Sequence, residues 1–215
     1  MWKALQLVES GEADACVSAG NTGALLTMAF YLLKTLPGID RPALVSDMPT
    51  ASHHRVFLLD LGANVNCTSE ILFQYGVMAS VLAEQISGIE SPRVALLNVG
   101  EEDIKGNAQV KYADQLFKNA KGINYIGYVE GDDIFTDYAD VVVTDGFTGN
   151  IALKSCEGLA KLVINEVKRQ SQANFFSRMM ARIALPLLKT VYNRVNPDQY
   201  NGASLLGLRG IVIKS

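Results

Sequence analysis

Four short glycine-bearing stretches hold the residue types best suited to chemistry: SAGNTG (Ser18 to Gly23), DLGANVN (Asp60 to Asn66), NVGEEDIKG (Asn98 to Gly106) and TDGFTGN (Thr144 to Asn150). The first and last repeat a Gly-x-Thr-Gly turn that follows a short apolar run and precedes a helical pattern. Glycine permits positive φ and close backbone approach, and a helix beginning directly afterwards aims free N–H groups and its positive dipole end at whatever binds. An anion is the natural guest. Gly20, Asn21, Thr22, Gly23, Asn64, Gly146, Thr148, Gly149 and Asn150 are therefore candidate binding residues, and four such turns suggest a phosphate-bearing ligand. The plainer alternative is that such turns end strands for reasons of turn geometry alone.

Lys105 lies in the third loop and Lys154 about one helical turn beyond the fourth stretch, so both are electrostatic candidates, against the ordinary role of a solvated surface lysine. Asp60 and Asp145 close strands beside glycine; each either caps its turn, orients a donor or accepts a proton. The sequence has no Walker loop, no Gly-x-Gly-x-x-Gly turn and no Gly-x-Ser-x-Gly elbow. Its only histidines are the neighbours His53 and His54, which point apart in an extended segment and read as a polar surface loop. These patterns favour a reaction run by positioning and electrostatics over covalent catalysis. Cys16, Cys67 and Cys156 are widely spaced, suggest neither a disulfide framework nor a metal site, and are expected to be buried thiols.

The elements that must position these groups alternate. Apolar runs at Ala13–Val17, Pro42–Val45, Val56–Leu61, Arg93–Val99, Ile123–Val129, Ala139–Val143 and Gly210–Ile213 read as strands. Helical patterns cover Thr22–Lys34, Thr68–Gln85, Ala108–Asn119 and Thr148–Arg169. The order predicts a three-layer α/β/α fold with a largely parallel sheet, as a single α/β domain over residues 1–215. Trp2–Val8 reads as the middle of a helix and the last strand stops at Ser215, so truncation at both ends is expected.

With a net charge of −3, no general affinity for nucleic acid is expected. No apolar run approaches the roughly 20 residues of a membrane-spanning helix, and a cytoplasmic protein is the default. From Val167 to Pro197, however, there are six cations and no acid. Within a protruding amphipathic segment at about 172–195, Phe175, Phe176, Met179, Met180, Ile183 and Leu187 form an apolar stripe with Arg178 and Arg182 off it. Pro186 predicts a break into two short helices. Such a stripe packs on the protein's own core or a second copy, lies in an anionic membrane surface, or docks an acidic carrier protein.

The stretches ACVSAGNTGALL, RPAL, LDLGANV, PRVALLNVGEE with KG, INYIGYVEG, DVVVTDGFTGNIALK and NPDQYNGASLLGLRGIVIKS span nearly the whole chain. In them the sequence resembles the phosphate acyltransferase (PlsX) family of bacterial phospholipid synthesis. The resemblance implies transfer of a fatty acyl group from acyl carrier protein to inorganic phosphate, giving acyl phosphate for phospholipid synthesis, with no cofactor or metal. It implies a fold like that of isocitrate and isopropylmalate dehydrogenases and phosphotransacetylase, a homodimer, and peripheral association with the inner face of the plasma membrane through the basic segment. On this reading Asn21, Thr22, Gly23, Thr148 and Gly149 hold phosphate or the pantetheine phosphate, Lys105 and Lys154 neutralise charge, and Asn201 and Gly202 complete the cleft. The rival readings are a phosphotransacetylase-like enzyme using acyl-CoA, a metal- and nicotinamide-dependent dehydrogenase without its expected acidic cluster, and a non-catalytic scaffold at the membrane.

Overall fold

The computed structural model describes residues 1–52, 54–195 and 202–215; His53 and Asn201 lie outside the described residues. Elements follow in the order α1 (Trp2–Glu9), β1 (Ala15–Ser18), α2 (Thr22–Leu33), β2 (Ala43–Pro49), β3 (Arg55–Leu59), α3 (Ser69–Ser87), β4 (Arg93–Leu97), α4 (Ala108–Asn119), β5 (Asn124–Val129), β6 (Val141–Val143), α5 (Gly146–Gln172), α6 (Phe175–Val195), β7 (Ala203–Leu206) and β8 (Ile211–Lys214). Five helices start where a side chain accepts a hydrogen bond from a first-turn N–H: Asn21 from Ala24, Thr68 from Ile71, Asn107 from Val110, Asp145 from Thr148 and Asn174 from Ser177. Gly88, in the left-handed conformation, ends α3.

The chain separates into two compact units, Met1–Asn150 with Gly202–Ser215, and Ile151–Asn201. The first holds one sheet in the order β1-β8-β7-β2-β3-β6-β4-β5. β3, β6, β4 and β5 run parallel, as do β1 and β8, whereas β2 and β7 pair antiparallel with both their neighbours. The sheet is thus mixed though mostly parallel, and β7 is a strand that the apolar runs did not announce. Phe57, Leu59, Val94, Leu96, Val141 and Val143 pack with Tyr75, Met78 and Phe117 of α3 and α4 in one core. Their alternates Val56, Leu58, Ala95 and Val142 point to the other face and are buried as well. Burial on both faces is what a layered α/β fold requires.

The second unit comprises the rest of α5, from Ile151, and α6. Contrary to the two short helices expected, α6 runs unbroken through Pro186. Proline removes one donor and crowds one carbonyl, but the surrounding Leu, Met and Ala are strong helix formers. Met180, Ala184 and Leu188 line a groove with Val167 and Gln170 of α5. Phe175, Ile183 and Leu187 are left 84%, 69% and 68% exposed. No helix among the described residues is long and apolar enough to cross a membrane. Cys16 and Cys67 are buried as expected, but Cys156, on α5, is only half-buried.

Candidate active site

Sheet polarity decides which turns meet. β3, β6 and β4 are adjacent and parallel, with Leu59 level with Val143 and Val143 level with Leu96. The turns that follow, beginning at Asp60, Thr144 and Asn98, therefore leave the sheet side by side, about 5 Å apart per strand. That is the position at which open α/β sheets bind ligands. Three of the four glycine stretches are gathered there.

The fourth is not in that row. β1 lies beyond β2, β7 and β8 and runs opposite to β3, so SAGNTG leaves with opposite polarity. No hydrogen bond or ion pair among the described residues joins it to the other three turns. Its company is different: Ser18 is level with Lys214 of β8, and Lys214 with Ala203 of β7, which puts Gly202 beside this turn. Asn21 caps α2 through Oδ1, and the Thr22 and Gly23 N–H groups have no partner among the described residues. Lys214 Nζ donates to the Ser215 carbonyl.

At the three gathered turns the order rests on one buried carboxylate. Asp60 is wholly buried, and its Oδ1 accepts from Leu44 N at 2.9 Å and Ala63 N at 3.0 Å. Oδ2 accepts from Asn64 N at 2.6 Å and Asn64 Nδ2 at 3.1 Å. Burial, outweighing these donors, raises its pKa above the ordinary aspartate range. Asn64, proposed from sequence for ligand binding, has its amide committed within the fold, donating to the Pro42 carbonyl at 2.7 Å and the Tyr75 hydroxyl at 2.6 Å. Its carbonyl accepts from Gly146 N at 2.8 Å, and Cys67 Sγ donates to the same oxygen at 3.5 Å. Burial, with the nearby Asp60 charge, pushes the Cys67 thiol up to about 11.

The glycines of TDGFTG serve this contact. A Cβ at Gly146 would lie 2.6 Å from the Asn64 carbonyl oxygen, and one at Gly149 only 2.0 Å from that of Asp60. Backbone meets backbone there, so both positions exclude any side chain whatever the ligand. Asp145 takes the capping role: Oδ1 accepts from Thr148 N at 2.8 Å and Oδ2 from the Thr148 hydroxyl at 3.2 Å. Gly146 N is also engaged, which leaves Phe147 N as the first-turn donor without a partner among the described residues. Thr148 and Asn150 are exposed, as is the Phe147 ring.

Both lysines are engaged by carboxylates. Lys105 Nζ lies 2.8 Å from Glu102, which holds its ammonium pKa above the usual value, and the Asn98 amide pins the loop by donating to the Gly100 carbonyl at 3.0 Å. Lys154, in the second unit, pairs with Glu157 at 3.0 Å along the same helix. Among the described residues no group of three or more His, Cys, Asp or Glu side chains is placed to hold a metal ion. Sequence reasoning missed Arg41, which lies just ahead of antiparallel β2 and hence at the same end of the sheet as the turns after β3, β6 and β4. It also missed Tyr75 as a polar anchor. Neither leaves a sequence signal without the strand direction.

A chain with this sheet and these turns is an α/β protein of the phosphotransacetylase-like architecture. It superposes on a phosphotransacetylase from Streptococcus pyogenes with a TM-score of 0.61 at 23% identity, covering 74% of this chain and 55% of that one. With a phosphotransacetylase from Staphylococcus aureus the TM-score is 0.59 at 19% identity, over 100% of this chain and 61% of that one. The family model described as "Fatty acid synthesis protein" matches residues 1–215, and the chain belongs to that family. It is 66% identical over 212 residues to a phosphate acyltransferase from Pseudoalteromonas atlantica, and 60% identical over 211 residues to one from Alkalilimnicola ehrlichii. It covers 62% and 61% of those relatives' lengths.

Proposed function

We propose that this chain carries the strand-end site of an acyltransferase that moves a fatty acyl group from acyl carrier protein to inorganic phosphate. A phosphate oxygen attacks the thioester carbonyl carbon, the C–S bond breaks from the tetrahedral intermediate, and the thiol leaves with a proton. Phosphate at neutral pH is already partly dianionic and needs no strong base. The observation that carries this reading is that the helix-opening N–H groups of Phe147 at the gathered turns, and of Thr22 and Gly23 at the separate turn after β1, have no partner among the described residues, since such donors suit phosphate and a developing oxyanion. Thr148 and Asn150 are the proposed contacts at the three gathered turns, shaped by Gly146 and Gly149 and held by Asn64 and Asp145, while Asn21, Thr22 and Gly23, shaped by Gly20 and Gly202, are proposed contacts at the separate turn after β1. Lys105 acts as a proposed electrostatic partner once drawn from Glu102, and Lys154, paired with Glu157, is a candidate cation of the second unit. Asn201 lies outside the described residues.

The exposed apolar residues of α6, with Arg178 and Arg182, support peripheral binding to an anionic membrane. A homodimer, and acyl phosphate as a precursor for phospholipid synthesis, complete the reading. The test is release of free-thiol carrier from long-chain acyl carrier protein with and without phosphate; release that does not depend on phosphate would sink it. The likeness to phosphotransacetylase folds favours one alternative, acyl-CoA as donor, and a higher kcat/KM with acyl-CoA than with the acyl carrier would select it.

A further inference from the structure

We infer that Arg41 is a binding residue for a phosphoryl oxyanion at the turns that follow β3, β6 and β4. Three observations lead there. First, the cations that sequence spacing singles out are already neutralised, Lys105 by Glu102 and Lys154 by Glu157. Arg41 is exposed and has neither a hydrogen bond nor an ion pair among the described residues. Second, β2 is antiparallel to β3, with Val45 level with Leu59, so the chain ahead of β2 passes beside Gly62 to Asn64. The bond from Asn64 Nδ2 to the Pro42 carbonyl, 2.7 Å, fixes this approach, and the charge of Arg41 is felt at the neighbouring Tyr75 hydroxyl. The same Asn64 receives the first N–H of α5.

Third, both residues flanking Arg41 are fastened. Asp40 N donates to Gln74 Oε1 at 2.9 Å, Gln74 Nε2 donates to Asp40 Oδ2 at 2.7 Å, and Pro42 is held by Asn64. An uncommitted guanidinium thus stands on a fixed backbone. A guanidinium stays charged, offers a planar fork of donors and pairs with phosphoryl oxygens in bidentate fashion. The local charge calls for it, because this end of the sheet also carries buried Asp60 and half-buried Asp145. The oxyanion is free phosphate or the phosphodiester of the acyl donor's pantetheine arm.

This inference rests on the acyl-transfer reading for its substrate and its kinetic test, but not for its binding test. Kinetics of the full chain with Arg41→Gln and Arg41→Lys should show the KM for one of the two substrates rising about tenfold or more in Arg41→Gln, with Arg41→Lys between. A change in KM for inorganic phosphate identifies free phosphate as the ligand; a change in KM for the acyl donor identifies the pantetheine arm. Turnover in which neither KM moves would overturn the inference and leave the acyl-transfer reading intact. Calorimetric titration with inorganic phosphate, and separately with the acyl donor, at matched ionic strength needs no turnover. If the wild type is inactive yet binds one of them, and Arg41→Gln weakens that binding about tenfold at an unchanged thermal midpoint, Arg41 stands and the reaction falls. If binding is absent or indifferent to Arg41, the inference fails. Should Arg41→Gln lower the midpoint, Arg41→Lys, which keeps the charge but not the fork, decides by the same readouts.

Discussion

Replacing Asp60 by alanine removes the acceptor for four hydrogen bonds, from Leu44 N, Ala63 N, Asn64 N and Asn64 Nδ2. At about 1 kcal/mol net per bond, the direct loss is about 4 kcal/mol. Leu44 and Asn64 are buried, so their donors stay dry and push the cost up. Relief of the carboxylate's own desolvation, the term that raises its pKa, offsets part of this. The expected net loss is about 3–4 kcal/mol, a fall of about 10 °C in thermal midpoint for a chain of this size. Asp60→Asn should not restore the wild-type value. One oxygen survives, and whichever way the amide faces, its NH2 meets two N–H donors, for a loss of about 2 kcal/mol or more. Scanning calorimetry reads the midpoint, and hydrogen exchange at the Gly146 amide reads the coupling to α5, which should exchange faster as Asn64 loosens. An alanine variant melting within about 2 °C of wild type would refute the assignment of Asp60 as the anchor of the three turns.

Gly149→Ala places a methyl against the Asp60 carbonyl and should cost at least the 1–3 kcal/mol usual for overpacking, with phosphate-dependent turnover falling in parallel. Gly158→Ala, on the same helix with open space around the new methyl, should instead raise the thermal midpoint through a gain of about 0.5–1 kcal/mol. Burial raises the pKa of Asp140, but hydrogen bonds from the Arg93 guanidinium and backbone N–H overcome it and leave the pKa below the ordinary range. A depressed carboxylate stabilises above its unfolded pKa and loses that contribution as pH falls through its folded one. Urea titrations should therefore show Asp140→Asn weaker than wild type at neutral pH, the gap closing below about pH 4. Making Phe175, Met179 and Leu187 polar should abolish co-sedimentation with anionic vesicles; unchanged binding would remove α6 from that role.

What the sequence discloses and what it hides divide along one physical line. Local signals sufficed where the cause is local: α4 occupies Ala108–Asn119 as its pattern predicts, α2 starts at Thr22 as expected, and α3 starts at Ser69, one residue past the expected Thr68, which caps it. Strand direction has no local cause. A parallel and an antiparallel strand of four or five apolar residues look alike in sequence, so nothing local sets β1 apart from β3, β4 and β6 although it points the other way, and β7 gives no apolar run of its own. The same blindness hid Arg41, since a residue ahead of a strand reaches its neighbours' carboxyl ends only when that strand is antiparallel. Glycine is ambiguous in a different way. In TDGFTG the residue that lets a ligand approach backbone is also the one that lets backbone approach backbone. The distances from Gly146 to Asn64 and from Gly149 to Asp60 show the second use. These glycines join two turns tightly, and around them Thr148, Asn150 and Arg41 are left exposed.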